Sequence, residues 1–149
     1  MSDTVFKIIP ERPEYIPSQE EQNIIIAFLD NIFDPGFYYR IEITDDVNFI
    51  DQGSNFDSLN CPKCSQSLDM GWWSDQVELS AQSNFTNLNI LLPCCGNECS
   101  LNDLDYDMPA GFSKYSIIIN DLDSSLFPDI ITGIEKIVSF RIRTVIARY

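Results

Sequence analysis

Residues 114–149 read KYSIIINDLDSSLFPDIITGIEKIVSFRIRTVIARY and carry the clearest secondary-structure pattern in the chain. The isoleucine-rich run 114–120 is typical of a buried strand. Apolar residues recur at helical spacing over 128–138, and Pro128 suits the first turn of the helix that this spacing predicts. Residues 139–149 alternate between apolar and polar side chains, as in a strand. This part of the chain therefore predicts a strand–helix–strand unit.

The first third of the chain predicts the same order of elements. Residues 5–9 are apolar enough for a short strand. A helix is expected over 18–33, because Ser18 can cap its first turn and Glu21 completes a capping box. Residues 37–44 alternate and predict a second, half-buried strand. A second strand–helix–strand unit is therefore expected here.

Turn residues predict where these first elements end. Pro35-Gly36 is expected to stop the helix. Asp45-Asp46 is expected to turn the following strand back on itself, so that residues 47–51 form its hairpin partner.

Two strand–helix–strand units predict an α+β fold with a mostly antiparallel sheet and two helices. A ferredoxin-like βαβ…βαβ arrangement is one topology with this order of elements. The chain is long enough to bury one core, so residues 1–149 are expected to form a single domain. Residues 61–99 lie between the two units, with a short helix, or alternatively a strand, expected over 69–83 and a strand over 88–92. We expect this cysteine-bounded section to be an inserted metal-binding element.

Two groups of cysteines mark the ends of that section. Cys61-Pro62-Lys63-Cys64 is the first group, and residues 94–99, CCGNEC, are the second. Structural zinc binds four thiolates in a tetrahedron, and two cysteines a few residues apart can span one edge of it. Cys61 and Cys64 are therefore expected to form one ligand pair.

The second ligand pair is ambiguous from the residues. Cys95 and Cys99 have the preferred spacing, whereas Cys94 with Cys95 is the alternative, since adjacent cysteines can also chelate. Two interpretations without structural zinc stay open. The thiols could be free and buried, where cysteine behaves as a small apolar side chain, or they could form a redox-active dithiol.

The chain contains no histidine. This excludes serine, cysteine and metal mechanisms that take a histidine base or ligand from the chain itself. A zinc ion held by four thiolates has no open position for a catalytic water. We therefore expect one zinc ion with a structural role.

Several motifs resemble an uncharacterised family of small bacterial proteins. The runs that carry the resemblance are Cys61-Pro62-Lys63-Cys64, Trp72-Trp73, Leu92-Pro93-Cys94-Cys95-Gly96, Ser100 to Tyr106 and Pro109 to Phe112. The likeness covers about residues 60–120 and implies a zinc-ribbon-like element with no assigned activity. In that family the position of Cys99 is not usually cysteine. The resemblance therefore favours Cys94 and Cys95 as ligands, against the spacing.

The chain is strongly acidic, with 9 Lys and Arg against 23 Asp and Glu and a formal charge of −14. Such a surface repels phosphate backbones, so no nucleic-acid partner is expected. The N-terminus lacks the basic start and apolar run of a signal peptide, and the longest apolar stretch, 24–28, is too short to cross a membrane. We therefore expect a cytoplasmic protein without a membrane partner.

Aromatic and acidic residues are the candidates for contact with a protein partner. Trp72 and Trp73 are adjacent, and an exposed tryptophan would anchor an interface, although two partly buried core residues are the simpler interpretation. Asp103, Asp105 and Asp107 alternate along a segment that is expected to be extended, and they could present one acidic face.

These features favour a non-enzymatic, acidic protein-interaction module stabilised by structural zinc. An immunity-type inhibitor that neutralises a basic toxin enzyme is the alternative, because negative charge accelerates association with a basic partner. A carboxylate- or thiol-dependent enzyme is the third hypothesis. The first two hypotheses require a protein partner.

Overall fold

The structure is a computed structural model that describes residues 4–33, 39–120 and 122–149. Within these ranges the elements are, in chain order, β1 (Thr4–Pro10), α1 (Gln19–Asp30), β2 (Tyr39–Ile50), β3 (Leu59–Asn60), α2 (Met70–Ala81), β4 (Asn89–Leu91), β5 (Glu98–Ser100), β6 (Asp105–Tyr106), β7 (Gly111–Asn120), α3 (Phe127–Ile137) and β8 (Ile142–Arg148). The predicted α+β class is confirmed. None of these described helices combines the length and apolar character needed to cross a bilayer.

Four strands form the main sheet in the order β2-β7-β1-β8, and each neighbouring pair is antiparallel. Phe6 of β1 lies opposite Ile119 of β7 on one side and opposite Ile146 of β8 on the other. Strands from the two strand–helix–strand units therefore alternate across the sheet. Two smaller ribbons, β3 with β6 and β4 with β5, are also antiparallel.

The hairpin predicted at Asp45-Asp46 is wrong. β7 pairs with β2 up to Ile43 on one side of this site and from Asn48 on the other, with a shift of register between them. The Thr44 hydroxyl donates to the Asp46 carbonyl at 2.7 Å and accepts from the Asn48 amide group at 2.9 Å. The two aspartates therefore lie in a β-bulge, and the strand continues past them. The predicted stop at positions 35–36 lies outside the described residues.

Helices α1 and α3 cover one face of the main sheet. The buried residues between them and the sheet, which we call the helix-side core, are Phe6, Ile8, Ile25, Leu29, Tyr115, Ile117, Ile119, Phe127, Ile130, Ile134 and Val138. Gly133 of α3 lies directly against the ring of Phe28 in α1, where a Cβ atom would overlap the ring. A glycine in the middle of α3 therefore allows the two helices to pack closely.

The start of α1 has the predicted capping box. Ser18 Oγ accepts from the Glu21 amide at 3.1 Å, and Glu21 Oε1 accepts from the Ser18 amide at 2.9 Å. The other oxygen of Glu21 accepts from the Ser139 amide at 2.8 Å, which ties α1 to the end of α3. The hydrogen bond from the Ser18 backbone is the main reason that the pKa of Glu21 lies below its usual value.

A second core lies around the cysteine section. Its buried residues, which we call the cysteine-side core, are Val47, Leu59, Cys61, Leu68, Ile90, Leu92, Leu101, Leu104, Tyr106, Ala110 and Phe112. Val47 belongs to β2 and Phe112 to β7, so the cysteine section packs against one end of the main sheet. The predicted division into a single domain with an insertion over 61–99 stays a prediction.

Asn102 joins the cysteine section to the main sheet. Its side chain is buried, donates to the Glu11 carbonyl at 2.7 Å and accepts from the Phe112 amide at 2.9 Å. Arg143 of β8 donates to the Asn102 carbonyl at 2.6 Å and to the Ala110 carbonyl at 3.0 Å. One buried amide side chain therefore satisfies backbone groups from two separate parts of the fold.

Replacing Asn102 by alanine is expected to lower the free energy of unfolding by about 3 kcal/mol, because the Glu11 carbonyl and the Phe112 amide would lose a buried partner. Chemical denaturation measures this change. Asn89→Ala, at an exposed position in β4, is the matched control and should change stability by less than about 0.5 kcal/mol. Equal effects of the two substitutions would contradict the role given to Asn102.

Candidate metal centre

The first cysteine pair lies in a tight loop that follows β3. The Cys61 amide donates to the Gln66 carbonyl at 2.8 Å, and the Ser65 amide donates to the Cys61 carbonyl at 2.9 Å. Ser65 has a φ of 65°, which lets the chain reverse at this point. Asn60 and Ser67 form an antiparallel bridge at the base of the loop.

The second pair lies in a loop of the same construction between β4 and β5. The Leu92 amide donates to the Asn97 carbonyl at 2.8 Å, and the Gly96 amide donates to the Leu92 carbonyl at 2.9 Å. Gly96 has a φ of 74° and corresponds to Ser65 of the first loop. Leu91 pairs with Glu98 at the base of this loop. Both loops are therefore knuckles with the same hydrogen-bond pattern.

The matching hydrogen bonds align residues 61–66, CPKCSQ, with residues 92–97, LPCCGN. Proline occupies the second position and cysteine the fourth position of both loops. The first position is Cys61 in one loop and Leu92 in the other, and the second loop carries its additional cysteine at the third position, as Cys94. The shared proline and cysteine are the only sign of this short repeat in the sequence, and the hydrogen bonds are needed to align the two loops.

The two knuckles bring four thiols together. Any two of the Sγ atoms of Cys61, Cys64, Cys94 and Cys95 lie within 4.8 Å of each other. The Cys64 and Cys94 sulfurs are 3.3 Å apart, and the Cys61 and Cys95 sulfurs are 3.8 Å apart. Thiolates bound to zinc at about 2.3 Å in a tetrahedron are about 3.8 Å from each other. The four cysteines could therefore hold a metal ion of this kind without a large rearrangement.

Hydrogen bonds and burial shift the thiol pKa values of Cys61 and Cys94 in opposite directions. Burial acts to raise the pKa of Cys61, but the amides of Cys64 and Lys63 donate to its sulfur at 3.4 and 3.3 Å and outweigh burial, so that this pKa falls to about 6. Burial and the neighbouring thiols raise the pKa of Cys94 to about 12. Asn97 donates to the Cys95 sulfur at 3.3 Å. A divalent cation would favour ionisation of all four thiols, as metal binding by cysteine requires.

Cys99 lies outside this group. It is half-buried in β5, opposite Ile90, and packs against the cysteine-side core. Burial and the nearby charge of Asp103 raise the pKa of its thiol. Spacing along the chain favours Cys99 because it takes no account of the path of the loop. In the structure Cys99 is already past the end of the second knuckle, whereas Cys94 lies within it.

The two tryptophans lie beside the buried core of the cysteine section. Trp72 and Trp73 are both half-buried in α2 and pack against the cysteine-side core. The Trp73 ring contacts Phe56 edge-on with centroids 4.8 Å apart, and its Nε1 donates to the Tyr106 hydroxyl at 3.2 Å. Both tryptophans are therefore partly buried against a core, which is the simpler of the two interpretations of this pair.

The three aspartates are exposed, as the alternating pattern suggested. Asp103 ends a 3-10 turn, Asp105 lies in β6 and Asp107 follows it, while Leu104 and Tyr106 between them are buried in the cysteine-side core. This alternation directs the carboxylates away from the core. We call Asp103, Asp105 and Asp107 the aspartate row.

Comparison with known proteins adds no relative: no family model, no curated protein and no solved structure matches the chain. The geometry of the cysteine cluster and the surface around it are therefore the features that bear on function.

Substitution of the cysteines separates ligands from neighbours. Cys94→Ser should abolish stoichiometric metal binding and lower the melting temperature, because the second knuckle would keep a single thiolate. Cys99→Ser should retain the metal, since its sulfur is not in the cluster. Metal content per chain, measured by elemental analysis of the purified variants, checks both outcomes. Retention by Cys94→Ser together with loss by Cys99→Ser would contradict this ligand set.

Proposed function

We propose that the protein is a non-enzymatic, acidic protein-interaction module whose cysteine section is stabilised by one structural zinc ion. The observation that carries the proposal is the convergence of four cysteine sulfurs from two matching knuckles. Four thiolates complete a tetrahedral shell, which leaves no position for a substrate or a reactive water. The ion would cross-link the two knuckles and would not take part in chemistry.

The donor set supports zinc as the metal. Thiolate sulfur is a soft ligand, and tetrahedral sites with four sulfurs are typical of zinc or of iron–sulfur proteins. Hard cations such as Ca²⁺ and Mg²⁺ require oxygen ligands. Paired knuckles with a cysteine at the fourth position also fit the zinc-ribbon-like element that the family resemblance implies.

The main sheet supports the finer prediction of its topology. Its strand order, β2-β7-β1-β8, alternates between the two strand–helix–strand units and fits a ferredoxin-like arrangement.

The aspartate row supports a basic protein partner. Its carboxylates point outward from a segment that the cysteine-side core holds in place, so the charges are displayed without loss of packing. Asp103 Oδ1 lies 4.0 Å from Arg143 Nη2, and most of the Asp103 side chain is exposed. The protein as a whole carries −14, and this charge would accelerate association with a basic surface. An immunity-type inhibitor is the special case in which that partner is a toxin enzyme.

The zinc proposal predicts about one equivalent of zinc per chain in protein purified without added metal. Removal of the ion by a strong chelator should lower the melting temperature, and added Zn²⁺ should restore it, because metal binding is coupled to folding of the knuckles. X-ray data collected on both sides of the zinc absorption edge would locate the ion among the four sulfurs. A folded protein that contains no zinc and melts at the same temperature after chelation would refute the proposal.

The interaction proposal predicts that neutralisation of the aspartate row weakens a specific complex. A photo-crosslinking residue placed at Asn60, opposite Asp105 in the β3–β6 ribbon, should capture a basic protein in the source cells. Binding of that purified protein should weaken about tenfold or more in the variant with Asp103, Asp105 and Asp107 changed to Asn, and should weaken as salt increases.

The matched control removes the same number of charges elsewhere. Glu20→Gln, Asp45→Asn and Asp46→Asn change three exposed carboxylates in α1 and the β2 bulge. This control should retain binding within about twofold. An equal loss in the two triple variants would show that net charge, not the aspartate row, controls association. If the captured partner is an enzyme and the protein abolishes its activity, the inhibitor alternative is the correct form of the proposal.

A further inference from the structure

A groove lies on the face of the main sheet opposite α1 and α3. Strand alternation defines this face: Ile117 and Ile119 of β7 belong to the helix-side core, whereas Ser116 and Ile118 line the groove. The groove has a volume of about 430 Å³, which is within the range of small-molecule sites. It is separate from the cysteine cluster, because none of the four clustered cysteines lines it.

A partly buried ion pair between Lys7 and Asp51 forms one wall of the groove. The Lys7 ammonium donates to the Asp51 carbonyl at 2.9 Å, to the Asp51 carboxylate at 3.2 Å and to the Tyr149 hydroxyl at 2.7 Å. Tyr149 in turn donates to Asp51 Oδ2 at 2.9 Å. Burial acts to raise the pKa of Asp51, but Lys7 and Tyr149 outweigh it and hold this pKa below its usual value. All three Lys7 donors are used, so this wall is preformed.

The opposite side of the groove retains unused hydrogen-bond donors. Ser116 is only 3% exposed, yet its hydroxyl makes no hydrogen bond within the described part of the chain. Lys114 also lines the groove, and its ammonium forms no ion pair with any described residue. Arg40 pairs with Glu42 through Nε at 3.0 Å, which leaves its two terminal nitrogens available. The Ser116 oxygen is not fully enclosed, since the enclosed side-chain atoms without a partner among the described residues are Gln52 Oε1 and Tyr115 OH, so this hydroxyl can donate to a ligand or a water in the groove.

The charge in the groove differs from that of the whole protein. Lys7, Arg40 and Lys114 are three of only nine basic residues in the chain, and they face the two carboxylates of Glu42 and Asp51. Both carboxylates are already paired, so the charge of Lys114 is left in excess. Asp45 and Asp46 lie next to the groove in the β2 bulge but do not line it.

We propose that this groove binds a small oxyanion, a carboxylate or phosphate group of a low-molecular-weight ligand. Lys114 supplies the unpaired positive charge, Ser116 donates a hydrogen bond from the floor, and the terminal nitrogens of Arg40 close the open side. Lysine and arginine are the usual cationic partners of both anions. The inference is independent of the zinc proposal, because it uses other residues and another face of the fold.

Titration of the ¹⁵N-labelled protein as purified with inorganic phosphate and, separately, with succinate tests the proposal by NMR at constant ionic strength. At least one anion should produce saturable shifts in the amide signals of Lys114 and Ser116, with sodium chloride as the reference. Lys114→Gln and Ser116→Ala should each weaken that binding, by about tenfold for the lysine. Saturation by phosphate alone or by succinate alone would identify the anion, and saturation by both would indicate a general oxyanion site.

Lys136→Gln is the matched control, because it removes the same charge from an exposed position of α3 that does not line the groove. It should leave the affinity within about twofold of the original. Two results would overturn the proposal: no saturable shift with either anion at tens of millimolar, or an equal loss of affinity in Lys114→Gln and Lys136→Gln. Unchanged melting temperatures of the variants would show that each result concerns binding and not folding.

Discussion

Strand β7 is central to the fold because its side chains contribute to the helix-side core and to the cysteine-side core. Phe112, near its start, is buried with the cysteine section, while Tyr115, Ile117 and Ile119 are buried under the helices. The same strand pairs with β1 and β2, and its amide at Phe112 is held by Asn102. A change in the register of β7 would move its alternate side chains to the opposite face and disrupt both cores together.

The cysteine cluster depends indirectly on the position of β7, through the cysteine-side core. Each knuckle is a short loop closed by two backbone hydrogen bonds, and such a loop positions at most two thiols. The cysteine-side core, which includes Cys61 and Leu92 at the first position of each knuckle, packs the two loops together. A metal ion would then cross-link segments that apolar packing already brings into contact, which lowers the entropy lost on binding.

Local patterns predicted the helices and most strands because capping and hydrophobic periodicity act over a few residues. The capping box of Ser18 and Glu21 and the apolar stripe of α3 are of this kind. The same local rules failed at Asp45-Asp46, where two turn-forming residues lie in a bulge. The difference is that β7 provides a pairing partner on both sides of the bulge, and a distant partner leaves no signal in the neighbouring sequence.

The sequence by itself determined the chemistry of the candidate metal site. Cysteine and histidine are the usual side chains of structural zinc sites, and with five cysteines and no histidine this chain offers only thiolates of these two kinds. Only the tertiary structure decided that Cys94 joins Cys61, Cys64 and Cys95, because that choice depends on the path of the second knuckle and on its packing against the first. The groove beside Lys114 and Ser116 is likewise a tertiary feature. Its residues come from β1, β2 and β7, with Asp51 and Tyr149 just beyond strand ends, and these segments are distant in sequence but adjacent in the folded sheet.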